Sequence, residues 1–250
     1  MKIGIIGAGA MGCLYASMLA EKHSVTLFDV WQPSVDAINA DGITVSAPND
    51  TDKVIRVPAL MSGAGHEPLD LVILFVKDMA SESALDGNRA IIGADTLLLS
   101  LQNGMGNYEI MQRFAPAEHI LLGTTKHNCV AKAPGVIYHS GAGITHIGSP
   151  AGDRAAADRI AEAFGICGIE AEACDNVNHL IWEKLFVNMT INPITALLGS
   201  TIGVIASDPE VRAAAYTLIC EAAAVAAADG EEFDPDAVFA ALMDTAAHLA

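Results

Sequence analysis

Lys2-Ile3-Gly4-Ile5-Ile6-Gly7-Ala8-Gly9-Ala10-Met11-Gly12 opens the chain and decides its fold. Lys2 to Ile6 reads as a short apolar strand, and Leu14, Met18 and Leu19 after the glycines keep a helical period. Val25 to Phe28 makes a second strand, ending at Asp29. Strand, glycine turn, helix, strand and acidic residue, in that order, make the βαβ unit that binds a dinucleotide. Gly7 permits the tight turn, Gly9 lets the backbone approach a pyrophosphate, and Gly12 lets the helix pack closely on the strand. The helix N-terminus offers N–H groups and the positive end of its dipole to the phosphates. Gly7, Ala8, Gly9, Ala10, Met11 and Gly12 are therefore assigned to the cofactor. A carboxylate at Asp29 can accept from both ribose hydroxyls of NAD, whereas a 2′-phosphate there meets like charge. Val30, Trp31 and Gln32 supply no cation to hold that phosphate, so NADH is favoured over NADPH. The plain alternative is an Asp29 that only caps the strand end.

Further along, Asp41-Gly42 signals a turn, and Ile43 to Val45 with Val54 to Val57 read as an inserted hairpin. Leu69 to Val76 and Leu97 to Leu101 are continuous apolar runs, as buried parallel strands are. The first ends in Lys77 and the second in Gln102-Asn103-Gly104-Met105-Gly106. Ligands gather at the carboxyl ends of such strands, so Lys77 and Asn103 are candidates for the cofactor site, with a solvated strand-end lysine and a turn asparagine as the equal alternatives. Ile120 to Gly123 leads into Thr124-Thr125-Lys126-His127-Asn128-Cys129. Val136 to His139 and Ile144 to Gly148 alternate like a hairpin closing the far edge of the sheet. His139 and His146 read as ordinary strand residues, without metal-ligand spacing. A helix over 153–164 and a last short strand over 165–174 complete a first domain, 1–175.

Everything after Asn176 reads helical, giving a second domain over 176–250. Its central stretch is Trp182-Glu183-Lys184-Leu185-Phe186-Val187-Asn188-Met189-Thr190-Ile191-Asn192-Pro193. Steps of four residues turn a helix through about 400°, so Lys184, Asn188 and Asn192 form one polar stripe. The remaining faces are apolar, so the helix should be largely buried, and buried amides need partners. Pro193 should end or kink this helix at Asn192. Asp208-Pro209 and Asp234-Pro235 start two further helices. The last, running through Ala247 to Ala250, carries no stop signal and reads as cut short.

A net charge of −17 argues against binding nucleic acid or an anionic membrane through bulk electrostatics. With 52% hydrophobic and 17% charged residues the chain is globular. Five scattered cysteines without a Cys-x-x-Cys pair suit reduced thiols in a cytoplasmic protein. The N-terminus lacks the pattern of a signal peptide, and the alanine-rich run over 213–228 reads as a soluble core helix.

Taken together, the chain resembles ketopantoate reductase (2-dehydropantoate 2-reductase). The motifs that carry the likeness are the glycine turn, Val76-Lys77, Gln102-Asn103-Gly104-Met105-Gly106, Gly123-Thr124-Thr125, Gly143-Ile144-Thr145-His146-Ile147-Gly148, and Trp182-Glu183-Lys184-Leu185 with Asn188 and Asn192-Pro193. The resemblance implies an α/β fold, with an N-terminal doubly wound Rossmann-type sheet followed by an all-α domain for substrate and dimer contacts. It implies that Lys184 is the proton donor and that Asn188 and Asn192 hold the substrate. It also implies that Lys77 and Asn103 contact the nicotinamide-side ribose and that the backbone at Cys129 lies against the cofactor. The chain departs from the family at three places. Asp29-Val30 stands where the family has an arginine for NADPH, and Ile202 stands where it has a substrate-binding asparagine before Gly203. The family also continues past residue 250 with a serine and a glutamate near the site.

The expected activity is reduction of a small 2-keto acid by NADH or NADPH, foremost 2-dehydropantoate to pantoate on the route to coenzyme A. An NAD-linked D-2-hydroxyacid dehydrogenase of the mandelate type is the alternative on the same fold. A nucleotide-binding protein without turnover is the alternative from another class. No metal, nucleic acid or membrane is expected. The alanine-rich helices fit packing within a monomer or a homodimer face equally well.

Overall fold

The computed structural model describes residues 1–248; Leu249 and Ala250, into which the last helix is expected to run, lie outside them. The chain opens with β1 (Lys2–Ile6), α1 (Ala10–Leu19), β2 (Ser24–Asp29) and α2 (Gln32–Asp41). β3 (Ile43–Ser46), β4 (Lys53–Ile55), β5 (Ala59–Met61) and β6 (Leu71–Leu74) follow. Then come α3 (Ser81–Gly87), β7 (Leu97–Ser100), α4 (Asn107–Met111), β8 (Ile120–Thr125), β9 (Asn128–Ala133) and β10 (Val136–Gly141). β11 (Thr145–Gly148), α5 (Arg154–Gly165) and β12 (Ala171–Ala173) precede four helices: α6 (Val177–Leu198), α7 (Gly203–Ser207), α8 (Pro209–Ala228) and α9 (Pro235–His248). The chain forms two compact units, 1–177 and 178–250.

In the first unit an eight-stranded sheet runs in the order β12-β11-β8-β7-β6-β1-β2-β5. Its centre is parallel: β1 pairs with β2 and β6, β6 with β7, and β7 with β8. Every residue of β6 and β7 is buried, as expected of strands covered on both faces. Each Leu or Ile side chain taken fully out of water there contributes roughly 1.5–3 kcal/mol. All these strands end at the same edge of the sheet, which brings the glycine turn, Asp29, Lys77 and Asn103 to one side.

A second, four-stranded sheet runs in the order β4-β3-β10-β9. It overturns the hairpin expected between Val136–His139 and Ile144–Gly148. β10 turns back instead onto β9, through Pro134-Gly135 with Gly135 at φ +70°, and pairs in parallel with β3. β11 belongs to the large sheet, antiparallel to β8. The reason is burial: Thr145 and Ile147, which share one face of the strand, are fully buried there, and Ile147 joins the hydrophobic core.

The second unit is helical. α6 is continuous for 22 residues with Pro193 inside it, so of the two outcomes expected at Asn192, an end or a kink, the end does not occur. An interior proline costs a helix about 3 kcal/mol. Burial of Ile181, Trp182, Phe186 and Ile191 on its earlier turns offsets that cost. The expectation of a largely buried helix holds only for those turns, because Asn192, Leu197 and Leu198 are exposed. Among the described residues α8 alone is long and apolar enough to cross a membrane by length and composition. Ala215, Ile219, Ala222 and Ala226 make its buried face, and α8 packs on α7 and α9; Val225 is exposed.

Candidate active site

The three glycines of the turn are needed for different reasons. Gly7 has φ +108°, and a Cβ there would sit 2.9 Å from the Phe75 carbonyl carbon. At Gly12 a Cβ would fall 1.8 Å from the Gly7 carbonyl oxygen, so helix and turn can approach only if that residue has no side chain. Gly9 is different. Its φ is −76°, and a Cβ there would meet nothing within 4 Å. Nothing in the protein's own packing requires glycine at 9, whereas a pyrophosphate drawn close to the backbone would require it. Gly9 is also the N-cap of α1 without any side-chain cap, which leaves the first-turn N–H groups to an anion.

Asp29 is held at the edge of this cradle. Its Oδ2 accepts from the Ala8 N–H at 2.6 Å and its Oδ1 from the Trp31 N–H at 2.8 Å. Each oxygen keeps lone pairs for a further donor, and the side chain is half-buried, so the fixed carboxylate suits a ribose diol. Ala10 carries the turn into α1, and its carbonyl oxygen lies 3.6 Å from Cys129 Sγ on β9. Burial pushes the Cys129 thiol up to about 11 and the Cys13 thiol up to about 12, so neither is a thiolate at neutral pH.

Lys77 and Asn103 are exposed at the ends of the strand runs that contain β6 and β7. Behind them lies a network that sequence reasoning missed. Gln102 Nε2 donates to the Val76 carbonyl at 2.7 Å and to Ser81 Oγ at 2.8 Å. Ser81 donates to Asn107, and Asn107 donates to Asp78 Oδ1. These bonds tie the two strand ends together and fix the loops that present Lys77 and Asn103; the only hint in sequence was Gln102 beside the candidate asparagine. Also missed was a buried hydroxyl cluster. Tyr15 Oη lies 2.9 Å from Thr125 Oγ1 and 2.6 Å from Thr145 Oγ1, under the strand that leads to Cys129.

In the second unit, Lys184, Asn188 and Asn192 share one stripe of α6, as their spacing requires. Asn192 Nδ2 donates to Asn188 Oδ1 at 3.3 Å, so the two amides are partners of each other. Burial alone lowers the Lys184 pKa, because it penalises the ammonium form. Trp182, on the far side of the helix, donates its indole N–H to Asp229 Oδ2 at 3.0 Å. Among the described residues no cluster of three or more His, Cys, Asp or Glu side chains could hold a metal ion.

A family model described as ketopantoate reductase PanE/ApbA matches residues 3–152, and its C-terminal counterpart matches residues 176–250. The chain is 35% identical over 236 residues to 2-dehydropantoate 2-reductase from Pyrococcus horikoshii, covering 94% of this chain and 76% of that one. It is 29% identical over 252 residues to the Streptococcus pyogenes serotype M1 enzyme of the same name, covering 100% of this chain and 81% of that one. A solved ternary structure of D-mandelate dehydrogenase with NADH and anilino(oxo)acetate superposes with a TM-score of 0.91 at 30% identity, covering 98% of this chain and 79% of that one. 2-Dehydropantoate 2-reductase from Geobacter metallireducens GS-15 superposes with a TM-score of 0.87 at 26% identity, covering 98% and 83%. Fold, glycine turn and both matched regions agree: the chain belongs to the ketopantoate reductase family, oxidoreductases that act on CH–OH groups with NAD(P) as acceptor.

Proposed function

We propose that the chain reduces a small 2-keto acid, foremost 2-dehydropantoate to pantoate, with Lys184 as proton donor and Asn188 and Asn192 as substrate ligands. The observation that carries this reading is a lysine whose ammonium form burial disfavours, on the same helical stripe as two amides, in a chain that matches the family over both regions. A nicotinamide bound there would supply the hydride for the keto carbon, and negative charge would develop on the keto oxygen. The Lys184 ammonium stabilises that developing charge and passes its proton to the oxygen, giving the 2-hydroxy acid. A neutral Lys184 then regains a proton from solvent. A lowered pKa makes the lysine a better acid at the moment of transfer. Asn188 and Asn192 bind hydroxyl and carboxylate groups without adding negative charge, which suits an anionic substrate on a chain of net charge −17.

On the cofactor side, Gly7, Ala8, Gly9, Ala10, Met11 and Gly12 hold the pyrophosphate and Asp29 the adenosine ribose. Lys77, Asn103 and the Cys129 backbone hold the nicotinamide end. Asp29 and the uncharged Val30 favour NADH. The same two residues, with Ile202 and the likeness to an NADH-bound D-mandelate dehydrogenase, support a second reading, in which the keto acid is aromatic or branched. Steady-state kcat/KM for 2-dehydropantoate, phenylglyoxylate and branched 2-keto acids, each with NADH and NADPH, separates the two. The first reading expects 2-dehydropantoate to be the best substrate; negligible relative activity on it would reject that reading in favour of the second.

A further inference from the structure

His127 and His139, the latter read from sequence as an ordinary strand residue, face each other. His127 Nδ1 lies 3.0 Å from His139 Nε2, with ring centroids 5.1 Å apart. His127 sits in the two-residue turn between β8 and β9, and His139 stands on β10 directly opposite Cys129. The second ring nitrogen of His127, Nε2, is buried with no hydrogen-bond partner. A neutral imidazole has one donor and one acceptor nitrogen, so His127 commits one to His139 and leaves the other unsatisfied. An apolar residue would fill the space without that cost, so the bond to His139 needs a use.

The surroundings show what the pair responds to. From α1, Tyr15 meets the His127 ring edge-on at 5.8 Å, its hydroxyl committed to Thr125 and Thr145. From β9, the Cys129 thiol is directed at the Ala10 carbonyl. Lys126 beside His127 is exposed, and Lys132 lies over the ring of Tyr138, which alternates to the opposite face from His139. None of these groups is a carboxylate that could stabilise an added charge. One extra proton can be shared, since an imidazolium can donate to an imidazole. A second makes both facing nitrogens donors, and the contact must open. Burial, and then His139, hold the His127 ring below the ordinary histidine range, so the closed pair prevails at neutral pH and is lost in acid.

We propose that the His127–His139 pair is a positioning device for the cofactor: its hydrogen bond ties the β8–β9 turn to β10, holds Cys129 against Ala10 of the glycine turn, and releases both when the pair takes up its second proton. This rests on the cofactor reading of the glycine turn given above.

Hydrogen exchange of the 126–133 amides in the cofactor-free chain, at pH 7.5 and pH 5, tests the tie. NADH titration at the same two pH values tests its consequence. The parent should lose protection and NADH affinity by about tenfold each between the two conditions. His139→Gln should be flat, because an amide can accept from a charged His127 or donate to a neutral one. His139→Leu should exchange fast and bind NADH weakly at both pH values. Unchanged protection in the parent at pH 5 would overturn the proposal, as would the parent's pH dependence persisting in His139→Gln. A pH-dependent exchange pattern with NADH affinity indifferent to His139 would remove the positioning role alone. The same pattern in a parent that binds no NADH at pH 7.5 would remove the cofactor reading beneath it.

Discussion

Two alanines, three residues apart in sequence, should fail in opposite ways. At Gly12 an added Cβ lands 1.8 Å from the Gly7 carbonyl oxygen and 3.0 Å from its carbonyl carbon, both backbone atoms that cannot rotate away. Helix α1 or the turn must move, and overpacking of this kind costs about 1–3 kcal/mol. At Gly9 the same atom meets nothing within 4 Å, and φ −76°, ψ −168° is open to alanine. The entropy gained by removing a glycine, about 0.4–1 kcal/mol, roughly offsets the poorer N-cap. Gly9→Ala should therefore unfold within about 0.5 kcal/mol of the parent. In the proposed cofactor site, however, its methyl group would occupy the approach of the pyrophosphate to the backbone N–H groups. Losing one charge-assisted hydrogen bond of about 1.5–3 kcal/mol weakens NADH binding by roughly 10- to 100-fold. Urea denaturation without cofactor, paired with NADH titration by fluorescence, reads both quantities for each variant. Parent-like NADH affinity in Gly9→Ala would refute the cradle, and parent-like stability in Gly12→Ala would refute the packing argument.

Other consequences follow from single contacts. Asp29→Ala removes the proposed ribose acceptor and the partner of the Ala8 and Trp31 N–H groups, so NADH affinity should fall at least tenfold while NADPH affinity falls less; an unchanged NADH-to-NADPH ratio would show that Asp29 does not choose the cofactor. Tyr15→Phe leaves Thr125 and Thr145 without their shared phenol and should destabilise the first unit by about 1–2 kcal/mol, lowering its melting temperature by roughly 3–6 °C. Calorimetry with no shift would mean that the Tyr15 hydroxyl adds no net stability to the cluster. Because burial lowers the Lys184 pKa, the charged donor is lost as pH rises, starting below the usual lysine range. The kcat for reduction should decline on the alkaline side accordingly, and a plateau reaching the ordinary lysine value would contradict the assignment.

The parallel half of the fold was legible because its signals are local. The strand, glycine turn, helix and acidic residue fall within the first 29 residues, and Leu71 to Leu74 and Leu97 to Leu99 are unbroken aliphatic stretches. The second sheet was not legible. β9 is exposed along almost its whole length, so Asn128 to Ala133 carries no burial pattern, and β10 finds its parallel partner β3 about 90 residues earlier in the chain. The candidate site divides the same way. Gly9 and Asp29 announce themselves by spacing, whereas the Gln102–Ser81–Asn107 network, the Tyr15 hydroxyl cluster and the His127–His139 contact exist only once distant segments meet. Pro193 does not end α6, because burial on the earlier turns of the helix outweighs its local cost.

The central claim is that Lys184 delivers the proton. Stopped-flow oxidation of NADH by 2-dehydropantoate, in the parent and in Lys184→Ala, tests it most directly when NADH affinity is measured on the same samples. Loss of a positioned acid and its charge should slow the chemical step by about 10³-fold or more, with NADH affinity within about twofold of the parent. Equal rates in the two proteins would contradict the account.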